Sequence, residues 1–535
     1  MKTMISSIIL ASCLALPLAS CSDSDAAPEQ KDWSTTTYFY SADAAMQDTY
    51  YKPTVGYVGD PMPFFDPVAG DFKVLYLQDF RPNPEGTYHP IWGVSTKDAA
   101  HYTSLGELVS CGTKKSQDAA IGTGSTIYDE SSKLYYTFYT GNKYLPTGDE
   151  SAQAVMVATS SDFKTWTKDR TFLLKGQDFG YDKNDFRDPF VFKGDDGKFH
   201  MLVSTKKGGK GSLAEFVSDD LKNWTDNGVF MNMMWDRFYE CPDLFKMGDY
   251  WYLVYSEIHH AVRRVQYFKG RTLDELKACT ANDAGRWPDA HEGFLDSRGL
   301  YAGKTASDGT NRYLWGWCPT RSGKDNTAVG ASPAEPEWGG NLVCYKLIQH
   351  EDGTLTLGQV DAVSEKYNQD VDVEVKESQN MTEADGTYTL AGNAELPDAY
   401  MLMGRLGNHN KISFTVTTSN EWDKFGISMV RGSDSKKYYT MVVNPENEND
   451  RKINFEEQGV EGKGFIAGID GYVFARPADN VYNITIYTDN SICVMYINDV
   501  CSYTNRIYGI QKNCWSINSY NGANVKISNL QISQY

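Results

Sequence analysis

A recurring unit constrains this chain more than any other feature. Segments 72–78, 133–139, 198–204, 249–255 and 311–317 are short, aromatic and alternating, and their starts lie 61, 65, 51 and 62 residues apart. In four of the units a polar turn such as Gly194-Asp195-Asp196-Gly197 comes just before that segment, and a short apolar run such as 189–192 precedes the turn. Downstream, each unit continues into a third apolar run and another polar turn, as in 155–166 and 213–224. Period-two alternation bounded by turn residues predicts strands. Three or four strands repeated about every 50 to 65 residues predict a β-propeller, because one unit cannot bury its sheet alone and must stack on its neighbours. Five units give five blades over residues 46–360. A coincidental set of hairpins within a sandwich is the alternative.

After this region the texture changes. Segments 411–416, 425–430, 438–443, 482–487 and 492–497 alternate between Gly and Asn turns, with no helix-length pattern, and predict an antiparallel β-sandwich over 361–535. Residues 446–451, charged and Asn-rich, read as an exposed loop without an EF-type calcium pattern. The expected fold is therefore all-β, a five-bladed β-propeller followed by a C-terminal antiparallel β-sandwich. Composition agrees, since 35 Tyr, 24 Phe and 12 Trp make 13% of the chain aromatic, as strands and sugar-binding clefts both favour. The 51 Lys+Arg against 70 Asp+Glu give a net charge of −19, which opposes phosphate backbones and anionic membrane surfaces, so nucleic-acid binding is not expected.

Residues 1–20 hold one charge, Lys2, and an apolar run from 4 to 18, which fits a secretory signal. No later stretch reaches the roughly 18 apolar residues of a spanning helix. Leu18-Ala19-Ser20-Cys21 resembles a bacterial lipoprotein box, in which the cysteine is acylated and becomes the new N-terminus. The following Ser22-Asp23-Ser24-Asp25 resembles the surface-export signal of Bacteroidetes lipoproteins. The expectation is a signal over 1–20, lipidation at Cys21, a polar tether over 21–45, and a monomer held at the outer membrane, facing the cell surface, by its lipid alone. A soluble periplasmic protein is the plainer alternative. Of the ten cysteines, eight lie beyond the signal, and no C-x-x-C or Cys/His spacing suits zinc. Cys493 and Cys501 sit where a disulfide between neighbouring strands is conceivable, but free buried thiols are the commoner use.

In a propeller the first strand of each blade lines the axis, so polar groups opening those strands converge. Asp60 in Gly59-Asp60-Pro61, Asp188 in Arg187-Asp188-Pro189 and Glu240 in Glu240-Cys241-Pro242-Asp243 occupy such places, in blades one, three and four. One Asp-Pro is an ordinary turn-former. Three acids at corresponding points of a repeat point instead to a shared acidic site, and a pair of carboxyls is what glycoside hydrolysis needs, one donating a proton and one attacking carbon or activating water. No Ser/His/Asp ordering or phosphate loop competes, and His259 and His260, adjacent in a strand, point to opposite faces.

The succession Asp60, then Arg187-Asp188-Pro189, then Glu240-Cys241 resembles the three signature motifs of glycoside hydrolase family 32, the invertase, levanase and inulinase group. Gln78, Trp92-Gly93 with Ser95, Gly124-Ser125, Tyr139-Thr140-Gly141 and Trp338-Gly339-Gly340 extend the resemblance across residues 50–360. It implies a five-bladed propeller with a sandwich, no cofactor and no metal, and a fructan or fructo-oligosaccharide as carbohydrate partner. It implies Asp60 as nucleophile, Glu240 as acid/base, Asp188 as transition-state stabiliser, and Arg187, Gln78, Trp92, Tyr57, Ser125 and Trp338 as substrate-binding positions. Gln78 and Trp92 read equally well as a strand polar residue and a core aromatic, and Cys241 as a packing residue or a tuner of Glu240. The family's Trp-Met-Asn-Asp-Pro-Asn-Gly stretch is here Tyr57-Val58-Gly59-Asp60-Pro61-Met62-Pro63, and the His that often follows Trp-Gly is Val94, which leaves linkage and sugar identity open. A retaining enzyme is expected to hold its two carboxyls about 5 to 5.5 Å apart, and an inverting propeller enzyme acting on arabinan or xylan about 6.5 to 9.5 Å. A glycan-binding lipoprotein without turnover is a further alternative.

Overall fold

A computed structural model describes residues 49–80, 89–233, 238–257, 264–279, 292–321, 336–431, 438–444, 452–458, 472–474 and 476–535. The expected signal, the Cys21 lipidation site, the tether, the 446–451 loop and the His259-His260 pair lie outside these residues.

The repeat forms five antiparallel blades. Their inner strands are Tyr57–Asp66, Ala120–Asp129, Phe186–Lys193, Glu240–Met247 and Tyr301–Ser307. Blades two, three and four are separate four-stranded sheets. Blades one and five share one eight-stranded sheet, because the long strand Pro336–Gln349 of blade five pairs with the inner strand of blade one at Gly340 and Val58. That bridge joins the last blade to the first. Each of the five aromatic segments is the second strand of its blade, as in Asp71–Asp79 and Arg312–Arg321. These strands have ladders on both sides and neighbouring blades on both faces, which is why Phe72, Val74, Tyr76, Tyr252, Val254, Leu314 and Trp315 are almost wholly buried. Aromatic rings fill the wedge between blades, for example Phe72 tilted against Trp315 at 5.2 Å.

The C-terminal residues form two facing antiparallel sheets, one of eight strands and one of seven. Alternate residues of His409–Thr418 (Ile412, Phe414, Val416) and of Lys424–Arg431 (Phe425, Ile427, Met429) point into a common core with Trp515 and Ile517. Tyr487, Val494 and Tyr496 on the outer face belong instead to the hydrophobic cluster of blades one and five. The seam is also polar. Buried Asp296, just before blade five, accepts from Ser502 Oγ, Thr504 Oγ1 and Thr504 N of the sandwich. Arg506 of the sandwich donates to the carbonyls of Pro319 and Cys318 and to Asn341 Oδ1. The eight cysteines in the described residues are free thiols; Cys501 faces Ile497 and Cys493 faces Asn505, so the two are not opposite one another across the ladder.

Candidate active site

At one level of the propeller every inner strand breaks register with its neighbour. The slips fall between Gly59 and Met62, Gly122 and Gly124, Arg187 and Phe190, Glu240 and Asp243, and Tyr301 and Lys304. Such bulges bend a strand and re-aim a side chain. Four of them hold a non-glycine residue at left-handed φ: Asp60 at 35°, Asp188 at 57°, Cys241 at 51° and Ala302 at 51°. Proline follows three of these residues, where the missing N–H forfeits no ladder bond.

The register corrects the expectation of three equivalent acids. Asp60 and Asp188 are equivalent, each in its bulge, but the residue that matches them in blade four is Cys241. Glu240 pairs with Ser256 as Arg187 pairs with Ser204 and Tyr301 with Trp317, one residue ahead of the bulge. The acid in blade four therefore enters the axis from a different level.

Asp60 is half-buried, with Oδ2 accepting from Thr123 Oγ1 at 2.7 Å and Oδ1 from Trp317 Nε1 at 3.1 Å. Both oxygens are thus fixed by neutral donors, which orient the carboxylate without neutralising it. Glu240 is held by charge: Oε1 accepts from Arg187 Nη2 at 3.0 Å, and Oε2 from the Tyr301 hydroxyl. The Arg187 guanidinium also donates to Asp185 at 2.7 Å and lies 3.8 Å over the Phe238 ring. Burial works against its charge, but Glu240, Asp188 and Asp185 outweigh burial and hold it firmly protonated. Asp188 is 4% exposed, and its Oδ2 accepts from the Cys241 backbone N–H at 2.9 Å. Burial pushes its carboxyl up to about 6, with Arg187 opposing and Glu240 and Asp60 adding to the rise.

Trp338 walls the site. Its indole lies 4.3 Å from the His89 ring and 6.2 Å from Trp317, and it occupies the space beside Gly59 so fully that a Cβ there would meet it at 2.2 Å. The glycine before Asp60 is thereby explained by the ring that covers it.

The other motif-derived positions stand differently. Gln78 is fully buried, its amide donating to the Val55 carbonyl, and Ser125 is buried while joining blade two to the Pro189 carbonyl and Val191 N–H of blade three. Both are wall-building residues and present no free surface to a sugar. Trp92, on the third strand of blade one, is half-buried and packs on Phe80 and the core between blades one and five. Tyr57 is half-buried beneath the Lys52 ammonium, 4.8 Å from its ring centroid. Burial, Asp60 and Asp188 push the Cys241 thiol far up, so its contribution is the backbone N–H given to Asp188 and a neutral sulfur 4.0 Å from Thr123. Thr123, Trp317, Tyr301, Phe238 and His89 were not among the sequence-derived candidates. Aligning Gly122-Thr123-Gly124 and Tyr301-Ala302-Gly303 with the acid motifs is the signal that finds two of them. Among the described residues no group of three His, Cys, Asp or Glu side chains is placed to hold a metal ion.

Carboxyls gathered at the mouth of a five-bladed propeller, with a sandwich packed behind it, define the propeller-and-sandwich class of glycosidase fold. Residues 50–360 match the Glycosyl hydrolases family 32 N-terminal domain, and residues 353–532 match the GH32, BT1760-like, C-terminal domain. The chain belongs to glycosyl hydrolase family 32. It is 26% identical over 310 residues to the insoluble β-fructofuranosidase isoenzyme CWINV2 of Arabidopsis thaliana, covering 52% of this chain and 50% of that protein. It is 26% identical over 240 residues to a sucrose-6-phosphate hydrolase of Vibrio alginolyticus, covering 42% and 45%. The chain spans about half the length of the curated relatives it matches. Fructan 1-exohydrolase IIa from Cichorium intybus has the same fold, with a TM-score of 0.69 at 16% identity, covering 91% of this chain and 97% of that one.

Proposed function

We propose that this protein hydrolyses β-fructofuranosidic bonds in fructans or fructo-oligosaccharides, with retention of configuration. The observation that carries the proposal is the contrast between two half-buried carboxyls at one axial mouth: Asp60 gripped by the neutral donors Thr123 and Trp317, Glu240 by Arg187 and Tyr301. Family membership and the fold shared with fructan-cleaving proteins support the sugar class. In this reading Asp60 attacks the anomeric carbon while Glu240 gives its proton to the departing oxygen, leaving an ester between Asp60 and the fructosyl unit. Glu240, now a carboxylate, then takes a proton from water, whose oxygen displaces Asp60. Asp188 accepts hydrogen bonds from ring hydroxyls and grips harder as positive charge develops on the sugar. Trp338 and His89 form the aromatic platform for the terminal unit.

The test is incubation of residues 22–535 with levan, inulin, sucrose and arabinan, beside Asp60→Asn and Glu240→Gln. Release from a fructan that both substitutions abolish is the expected result; release from arabinan alone, or from none, rejects the proposal. Export with a lipid on Cys21, and residence at the outer-membrane surface as a monomer, belong to the same reading. A Cys21→Ala chain should then leave the membrane fraction, and one that stays there would reject the anchor.

A further inference from the structure

Lys304 is a further residue at this site that neither the motifs nor the family match assigns. It stands at the far side of the blade-five bulge, three residues after Tyr301, and only 2% of it is exposed. Its ammonium donates to the Gly124 carbonyl at 2.7 Å and lies 5.3 Å over the Phe190 ring. Gly124 follows Thr123, the donor to Asp60, and Phe190 comes two residues after Asp188. Lys304 thus crosses the axis from blade five and ends between the segments that carry the nucleophile's hydrogen bond and the stabilising acid. Among the described residues no carboxylate lies within ion-pairing distance of it. A buried ammonium without a paired carboxylate is expensive unless a surrounding field supplies what water no longer does. Burial lowers the amine's hold on its proton, and the carboxyls Asp243 of blade four, Asp188 of blade three and Asp60 of blade one supply the opposing field.

Four carboxyls meet around the axis: Asp60, Asp188, Glu240 and Asp243. Three cations face them: Arg187, Lys304 and Arg312, the last acting on Asp243. Asp185, beside Arg187, is balanced by Lys206 at 3.1 Å. With all four carboxyls ionised the set carries one net negative charge, and removal of one cation doubles it. We propose that Lys304 is a positioning residue of the active site: its buried ammonium, tied to the Gly124 carbonyl, fixes a positive charge between the segments that carry Asp60 and Asp188 and so favours the ionised forms of the axial carboxyls. Without that charge the axial carboxyls hold their protons to higher pH.

The inference deepens the fructosyl-transfer reading, and its first test does not depend on activity. Lys304→Gln keeps a donor for the Gly124 carbonyl and removes the charge. The thermal midpoint of the full chain is measured from about pH 4 to pH 7 for the native protein, Lys304→Gln and Lys304→Arg. Loss of the ammonium raises the folded-state proton affinity of the carboxyls, so their contribution is lost as pH rises, and the deficit of Lys304→Gln is expected to widen across that range while Lys304→Arg narrows it. A deficit equal at all pH values would mean a merely structural tie and would overturn the inference. The second test is kinetic: in Lys304→Gln the acidic limb of kcat/KM is expected to move up by about one pH unit, with kcat down about tenfold or more and KM little changed. Asp243→Asn, which leaves Lys304 in place, should move that limb the other way. An unmoved limb in both variants of an active enzyme overturns the inference alone, whereas an inactive native chain overturns the fructan reading and leaves the midpoint test to decide on Lys304.

Discussion

Asp188 shows at the scale of one residue how function opposes stability. In an unfolded chain its carboxyl titrates near 4, about where water leaves any aspartate, and burial lifts it to about 6 in the fold. Because the folded value is the higher one, the stabilising contribution is complete below about pH 4 and is lost as pH rises toward about 6. At neutral pH the buried carboxylate costs the fold up to roughly 3 kcal/mol. Asp188→Asn should therefore raise the thermal midpoint at pH 7, lose that advantage at pH 4, and cut turnover about a hundredfold or more. A midpoint gain independent of pH would contradict this. Glu240→Gln removes the proton donor while keeping hydrogen-bond partners for Arg187 and Tyr301, so about 10²–10⁴ of kcat should go, least for substrates with good leaving groups. Equal losses for good and poor leaving groups would show that Glu240 is not the acid.

The bulged inner strand is the element that turns a sheet edge into a site. It takes one residue out of the ladder, gives it a left-handed backbone and sends it toward the axis. This also sets what the sequence could disclose. Period, strand order and the second-strand aromatics were legible because they recur within each blade. Asp60, Asp188 and Glu240 stood out because acids recur where first strands open, although a single Asp-Pro is an ordinary turn. Thr123, Trp317 and Tyr301 reach those acids from other blades, and no local pattern says which blades face each other until the ring has closed. Gln78 and Ser125 are buried among strand partners, because a motif names a residue without saying how deep in the wall it sits. Gly59 offers a test at this scale. Gly59→Ala drives a methyl group into the Trp338 indole, so kcat/KM should fall about tenfold or more, and much less in a Trp338→Ala background, where the clash is absent. Equal losses in both backgrounds would place the glycine's importance in its backbone rather than in the ring above it.

For the whole molecule, the polar seam argues that propeller and sandwich unfold together. Arg506→Met strands the carbonyls of Pro319 and Cys318 at that seam and should cost about 3 kcal/mol or more, with the single unfolding transition splitting into two. A chain lacking 371–535 would expose Trp315-side core that Tyr487, Val494 and Tyr496 now cover, and is expected to be insoluble; a soluble and fully active propeller would refute that support role. The claim on which everything else rests is that Asp60 bonds covalently to the sugar. Glu240→Gln, which slows the water-dependent second step, is mixed with an activated β-fructosyl substrate, quenched, digested and weighed by mass spectrometry. The account predicts one fructosyl unit on the peptide that contains Asp60, and none in the Asp60→Asn protein. An unmodified Asp60 peptide together with a first product of inverted configuration would contradict it.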